Sequence, residues 1–104
     1  MRKFHLALSV SDIEACVRDY SGRLGCAPEV IVPNEYALWR TESLNFSIRK
    51  DEVGQAGMLR HLGWEDEAAD AFSSNVDCNG IVWERFSQQQ QAAEIASIWP
   101  RARK

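Results

Sequence analysis

The sequence predicts a single α+β domain that contains a strand–helix–strand–strand–strand unit, a shortened second unit and a C-terminal helix. In several short stretches apolar and polar residues alternate, which is typical of strands, and in two others apolar residues recur at helical spacing. The opening strand pattern also returns in the second half of the chain. With 104 residues, 45% of them hydrophobic, the chain is long enough for one core and one domain over residues 1–104.

The first unit opens with a strand followed at once by a helix. In residues 4–10 every second side chain is apolar, and His5 lies on the opposite face of the predicted strand. Ser11 and Glu14 form a capping-box pattern in front of apolar residues at helical spacing. We therefore predict a helix over residues 12–24, which ends before a glycine.

Three further strands complete the first unit, which spans residues 4–49. They are joined by short polar turns, as hairpins require, and cover residues 29–32, 36–40 and 44–49. A polar stretch with two glycines, residues 50–57, follows and is predicted to connect the two units.

The second unit, residues 59–99, begins with a strand similar to the first one. His-Leu-Gly-Trp at residues 61–64 aligns with His-Leu-Ala-Leu at residues 5–8. The two histidines of the chain, His5 and His61, therefore occupy equivalent places in two similar strands.

The rest of the second unit is shorter than its counterpart in the first. We predict a short helix over residues 66–74, a strand over residues 81–86 and a terminal helix. The terminal helix begins at a second capping-box pattern, Ser87 and Gln90, and carries an apolar stripe that reaches Trp99.

Composition and charge exclude several classes of function. The formal net charge is −3, whereas nucleic-acid binding needs a clustered positive surface, so we expect no nucleic-acid partner. No apolar stretch approaches the roughly 20 residues of a membrane span, and no signal-peptide pattern is seen, so we expect no membrane partner and a cytoplasmic location. Three cysteines at irregular spacing match neither a zinc site nor a disulfide framework and are predicted to be reduced thiols.

Several motifs occur in an order that resembles a known superfamily. Residues 4–20 look like a first strand and helix of that group, and residues 59–64 resemble the start of its second module. Asp77-Cys-Asn-Gly-Ile-Val-Trp-Glu84 resembles the D-P-x-G-x-x-W-E segment of its last strand. The superfamily is that of the glyoxalase, bleomycin-resistance and extradiol-dioxygenase proteins, also called vicinal oxygen chelate proteins. The resemblance covers most of residues 4–86 and implies βαβββ modules that pair into a curved mixed sheet around a cleft.

The resemblance also implies a metal site. In metal-using members, ligands come from the first strand of each module and from the last strand, which carries over to His5, His61 and Glu84. Two imidazoles and one carboxylate suit a divalent ion such as iron or manganese, with zinc and nickel as further candidates. Such an ion acts as a Lewis acid on a small oxygen-bearing substrate. The implied activity is that of a lyase, an isomerase or a dioxygenase, with Glu84 as the catalytic carboxylate.

The chain departs from the superfamily pattern after its fifth strand. Residues 66–80 are too few for the helix and two strands of a full second module, so part of the cleft wall is missing. A half-closed sheet would expose apolar surface and strand edges, so we predict a homodimer, with the Trp99 helix as a candidate cover. An alternative function is metal-free sequestration of a small molecule between two subunits, as in the bleomycin-resistance branch. A third is an interaction module without a ligand.

Each candidate residue also has a plainer interpretation. A strand histidine often bonds only to a neighbour, and Glu84 is alternatively a surface glutamate paired to an arginine. Glu65 is a second candidate carboxylate, although a solvated strand end explains it more simply. Asn45 fits the polar chemistry of a sheet better than catalysis. Four aromatic residues either line a pocket or pack in the core: Trp39, Phe46, Trp64 and Trp83.

Overall fold

The sheet of this protein has seven strands and carries a helix on each face. The computed structural model describes residues 2–51 and 56–100. The elements are β1 (Arg2–Val10), α1 (Ile13–Leu24), β2 (Val30–Val32), β3 (Tyr36–Arg40), β4 (Leu44–Lys50), β5 (Met58–Asp66), β6 (Ser73–Val76), β7 (Val82–Phe86) and α2 (Gln88–Ile98). The predicted α+β class is confirmed.

The strands lie in the order β2-β3-β4-β1-β5-β7-β6, with β1 at the centre. β1 runs parallel to β4 and antiparallel to β5, and β5 runs parallel to β7. The outer pairs, β2–β3, β3–β4 and β6–β7, are antiparallel. The sheet therefore has two halves, β1–β4 and β5–β7, which meet along the β1–β5 pair.

Helix α1 packs on the face of the sheet that carries the apolar side chains of β1. Its Ile13 is buried with Trp39 and Ile48, and partly buried residues such as Tyr20 pack against this cluster. The helix is capped by Asp12, whose side chain accepts a hydrogen bond from the Ala15 amide at 3.0 Å, so the predicted Ser11 cap is wrong by one residue. A left-handed glycine follows the last turn, as predicted.

Helix α2 covers the opposite face, on which His5 lies. The predicted Ser87–Gln90 capping box is present at its start. Ile95 is buried with residues of β2 and β3, among them Tyr36, and the Trp99 ring lies 4.8 Å from the Tyr36 ring between centroids. The C-terminal helix thus covers the face of the sheet that would otherwise form an open cleft.

The second half of the sheet differs from the prediction for residues 66–74. Instead of a helix, Asp66 forms a turn, in which its carbonyl oxygen accepts from the Ala69 amide and its side chain accepts from the Ala68 amide. The chain then forms β6, which pairs with β7. Phe4 on β1, Trp64 on β5 and Trp83 on β7 pack edge to face on the same side of the sheet as α1, which is called the outer face below. No helix in residues 2–51 and 56–100 covers the outer face at β5–β7.

Three smaller predictions concern features away from the sheet. Cys16, Cys26 and Cys78 form no disulfide bond with one another in the structure. Neither helix of the described part is long and apolar enough to pass through a membrane. Of the predicted connecting loop 50–57, residues 52–55 lie outside the described residues.

Candidate metal centre

Three neighbouring strands at the centre of the sheet carry the candidate ligands. His5 on β1 lies opposite Gly63 on β5, and Gly63 in turn lies opposite Glu84 on β7. His61 is two residues before Gly63, so it faces the same side of the sheet. Because Gly63 has no side chain, the histidines and Glu84 can approach one another above it. A Cβ atom at this position would collide with the main chain of Glu84.

The ligand atoms of the three side chains converge on one point. The Nε2 atoms of His5 and His61 are 2.9 Å apart, and Oε1 of Glu84 lies 3.0 Å from Nε2 of His61 and 4.0 Å from Nε2 of His5. Two atoms bound to one ion lie at most two bond lengths apart, which is about 4.2 Å for bonds of about 2.1 Å. All three separations meet this limit. The structure therefore brings together His5, His61 and Glu84, the three residues that the sequence singled out.

Asn45 fixes which nitrogen of His5 carries the proton. The Asn45 side-chain amide donates to a Glu65 oxygen at 2.7 Å and to the Gln91 side-chain oxygen at 2.8 Å. Because a carboxylate only accepts hydrogen bonds, the Nδ2 group of Asn45 must face Glu65, and its Oδ1 atom must face His5. Nδ1 of His5 therefore donates to Asn45, over 2.8 Å to Oδ1 and 3.1 Å to the main-chain oxygen. This leaves the Nε2 lone pair directed at His61 and Glu84.

Burial keeps the His5 ring in its neutral form. Loss of solvent and the neighbouring His61 ring lower the pKa of His5, and its hydrogen bonds to Asn45 and the charge of Glu84 only partly oppose this effect. A neutral imidazole whose second nitrogen donates to a carbonyl oxygen is the usual form of a histidine ligand. His5 is thus held in the state that metal ligation requires.

The Arg40–Glu65 ion pair anchors this network. Arg40 donates two hydrogen bonds to the carboxylate, through Nε at 2.8 Å and Nη2 at 2.7 Å. Burial works to raise the pKa of Glu65, but the hydrogen bonds from Arg40 and Asn45 outweigh it, so this pKa lies below its usual range. Glu65 is buried, so its interpretation as a solvated strand end is wrong. A chain of hydrogen bonds runs from Arg40 through Glu65 and Asn45 to His5.

Too few protons are available to explain the convergence of these three atoms. Nε2 of His5 carries none, and an ionised Glu84 carries none. Nε2 of His61 carries at most one proton, which cannot satisfy both His5 and Glu84 fully. A cation among these lone pairs would satisfy all three at once, so the donor set fits a divalent metal.

A cavity of about 140 Å³ opens beside the cluster, between the sheet and α2. Besides the three candidate ligands, it is lined by Tyr36, Arg49, Arg60, Glu94 and Trp99, among others. The Arg49 guanidinium lies over the Trp99 ring, 5.1 Å from its centroid. Burial raises the pKa of Tyr36 to about 12. The pKa of Glu94 is also raised, by burial and by the charge of Glu84.

The predicted aromatic residues do not all reach this cavity. Trp39 and Phe46 belong to the core beneath α1, and Trp64 and Trp83 lie on the outer face. Trp99, assigned from the sequence to a covering role, does line the cavity.

Sequence reasoning missed the residues that support the cluster or line its cavity from other elements. Asn45 was assigned to general sheet chemistry, and the roles of Gln91, Glu94, Arg49 and Arg60 were not foreseen. One signal was available in the sequence. Residues of a strand that are separated by an even number lie on the same side, so Asn45 and Arg49 could be predicted to share a face of β4. The face that α2 presents to the sheet could not be read in this way.

A scan against protein-family models and a search of curated proteins found no match to this chain.

Proposed function

We propose that this protein binds one divalent metal ion through His5, His61 and Glu84 and acts on a small oxygen-bearing substrate, as glyoxalase-like (vicinal oxygen chelate) proteins do. The observation that carries the proposal is the convergence of the three ligand atoms at separations of 2.9, 3.0 and 4.0 Å. The hydrogen bonds from His5 to Asn45 support it, because they direct a lone pair into the cluster.

The strand pairings support the family assignment within this proposal. The two inner pairs, β1–β4 and β5–β7, are both parallel, and β1 and β5 join them antiparallel, so the inner strands of the two halves are related by an approximate twofold axis. We infer that β1–β4 with α1 correspond to one βαβββ module. The strands β5–β7 then correspond to a second module that lacks its helix and one strand.

The chain's own residues account for binding and proton transfer. A bound divalent ion, for which iron and manganese are the first candidates and zinc and nickel the next, would supply Lewis acidity toward neighbouring oxygen atoms of the substrate. Asn45 and Glu65 hold His5 in its ligating form, and α2 shields the cluster from solvent. Glu84 is the proposed catalytic carboxylate, and Glu94 in the same cavity is placed to hold or move a proton. A carboxylate in that role favours a lyase or an isomerase over a dioxygenase.

The uncovered outer face supports the homodimer within this proposal. Phe4, Trp64 and Trp83 lie there without a covering helix from the described ranges 2–51 and 56–100. The edge strand β6 exposes 63% of Val76. A half-buried aromatic cluster without a helix over it, together with an exposed strand edge, is typical of a site where a second chain docks. Light scattering of the purified protein would test this, and a monomer at micromolar concentration would refute the dimer.

Metal uptake by the purified protein tests the proposed site. Protein prepared without chelators and dialysed against manganese, iron(II), zinc or nickel should retain about one equivalent of at least one of them per chain. Glu84→Gln and His61→Ala should abolish retention, because each removes one of three ligands. Glu94→Gln is the matched control, since it alters a carboxylate of the same cavity outside the cluster, and it should retain the metal.

Two outcomes would contradict the proposed metal site. One is no retention of any of the four ions by the parent protein. The other is unchanged retention in both ligand variants, with folding verified by tryptophan fluorescence. Quenching of that fluorescence by small aromatic compounds, without any metal, would instead favour the metal-free binding protein.

A further inference from the structure

Two arginines face the cavity, and no carboxylate of residues 2–51 and 56–100 is bound to either of them. Arg49 on β4 and Arg60 on β5 flank the central strand β1 and line both the cavity beside the cluster and a second, more open hollow of about 250 Å³. Within the described ranges of the chain, no hydrogen bond or ion pair joins either guanidinium to another residue. Two other arginines of this sheet, Arg40 and Arg85, each bind a carboxylate.

The position of Arg49 is fixed by a contact that leaves its hydrogen-bonding groups available. Its guanidinium carbon lies over the Trp99 ring, 5.1 Å from the ring centre, and this contact gives none of its N–H groups a hydrogen-bond acceptor atom. The N–H groups in the plane of the guanidinium therefore remain available to a ligand. Arg60 is exposed at the mouth of the cavity, where it can meet an incoming ligand.

The charges around the cavity favour an anion. Its lining carries two guanidinium groups, on Arg49 and Arg60, and two carboxylates, on Glu84 and Glu94. A divalent ion in the proposed cluster would leave an excess of two positive charges. A ligand with one or two negative charges would neutralise this excess, and a planar guanidinium binds carboxylate or phosphate oxygens in pairs.

We propose that Arg49 and Arg60 form an oxyanion subsite, so that the substrate is a small organic acid whose anionic group binds the two arginines while its neighbouring oxygens reach the His5–His61–Glu84 cluster. The second point of attachment rests on the proposed metal function. The size of the cavity limits the ligand, because a volume of about 150 Å³ accommodates benzene. A cavity of about 140 Å³ therefore holds roughly six non-hydrogen atoms, the size of pyruvate.

Calorimetric titration of the manganese-loaded protein tests this subsite. The probes are pyruvate, its uncharged amide pyruvamide of the same size, and inorganic phosphate as the alternative oxyanion. Pyruvate should bind, and pyruvamide should bind at least about tenfold more weakly. Arg49→Met and Arg60→Met keep the apolar stems and should each raise the Kd for pyruvate at least about tenfold. Arg85→Met, whose guanidinium pairs with Asp66, is the matched control and should leave this Kd unchanged.

The outcomes separate the subsite from the metal site. If phosphate binds, pyruvate does not, and both arginine variants lose phosphate binding, the result supports the subsite and assigns it to phosphate-type anions. Equal binding of pyruvate and pyruvamide, Kd values unchanged in both arginine variants, or no binding of either anion would overturn it. Arginine-dependent binding of pyruvate by a protein that takes up no metal would refute the metal function alone. Metal uptake without arginine-dependent binding would refute the subsite alone.

Discussion

Replacing Arg40 with methionine tests how strongly the buried carboxylate of Glu65 depends on its ion pair. The Glu65 side chain is 8% exposed and the Arg40 side chain 13%, so both are largely shielded from solvent in the parent protein. The substitution removes two of the three hydrogen bonds that the carboxylate accepts and leaves the one from Asn45. Removing one partner of a buried ion pair generally costs about 3–5 kcal/mol.

Protonation of Glu65 sets a limit on this loss. The ordinary pKa of a glutamate is 4.5, so at pH 7 protonating the Glu65 carboxylate that has lost Arg40 costs about 3.4 kcal/mol. We therefore expect Arg40→Met to lower the free energy of unfolding by about 3–4 kcal/mol at pH 7. The parent carboxylate has a lowered pKa and stabilises the fold above pH 4.5, whereas in the variant its pKa is raised. The loss should therefore shrink to about 1 kcal/mol near pH 5.

Urea unfolding followed by tryptophan fluorescence measures both values. With a slope of about 1.5 kcal/mol/M, the midpoint should fall by about 2–3 M at pH 7. Arg23→Met is the control, because the Arg23–Asp19 pair is 73% and 56% exposed and should contribute less than about 0.5 kcal/mol. The double variant Arg40→Met, Glu65→Gln should recover part of the loss. A loss below about 1 kcal/mol, or single effects that simply add in the double variant, would refute the reasoning.

Four further substitutions probe other parts of the fold. Gly63→Ala should lower the free energy of unfolding by more than about 2 kcal/mol and weaken metal retention, because its Cβ would displace Glu84. Gly22→Ala in α1 should instead raise the free energy of unfolding by about 0.5–1 kcal/mol in the same urea assay. Ser87→Ala should cost about 1 kcal/mol through loss of the α2 cap, and no measurable loss would contradict the cap. Tyr36 should ionise near pH 12 by ultraviolet absorbance, so parent stability should fall relative to Tyr36→Phe between pH 10 and 12. A midpoint near 10 for Tyr36 would show that its ring is solvated.

The first half of the fold could be predicted because its patterns are local. Strand alternation and helical spacing located β1, α1, β3 and β4 within two residues of their observed ends. The one cap error, Ser11 for Asp12, arose because adjacent residues both suit a cap.

The prediction failed for β6, a strand that carries no apolar alternation. The segment before β6 contains alanines and acids that favour a helix, but β6 itself (Ser73–Val76) is a strand because it pairs with β7. Its four residues are all exposed, so no apolar alternation signals it.

The residues of the candidate site also fall into two groups, those that the sequence could identify and those that it could not. His5, His61 and Glu84 could be found because each lies in a strand whose motif is repeated or resembles a family motif. Asn45 and Gln91 could not, because their hydrogen bond joins β4 to α2 across 46 residues. Only the packed structure shows which face of α2 meets the sheet.

The central position of β1 also governs the order in which the cluster can assemble. During synthesis β1 emerges before its two neighbours, β4 and β5, so it cannot pair with either strand until that strand has been made. Glu84 arrives later on β7, and Gln91, which completes the hydrogen bonds around Asn45, arrives only with α2. The three ligands therefore cannot meet before β7 has been made and has paired with β5, so metal capture should follow that pairing.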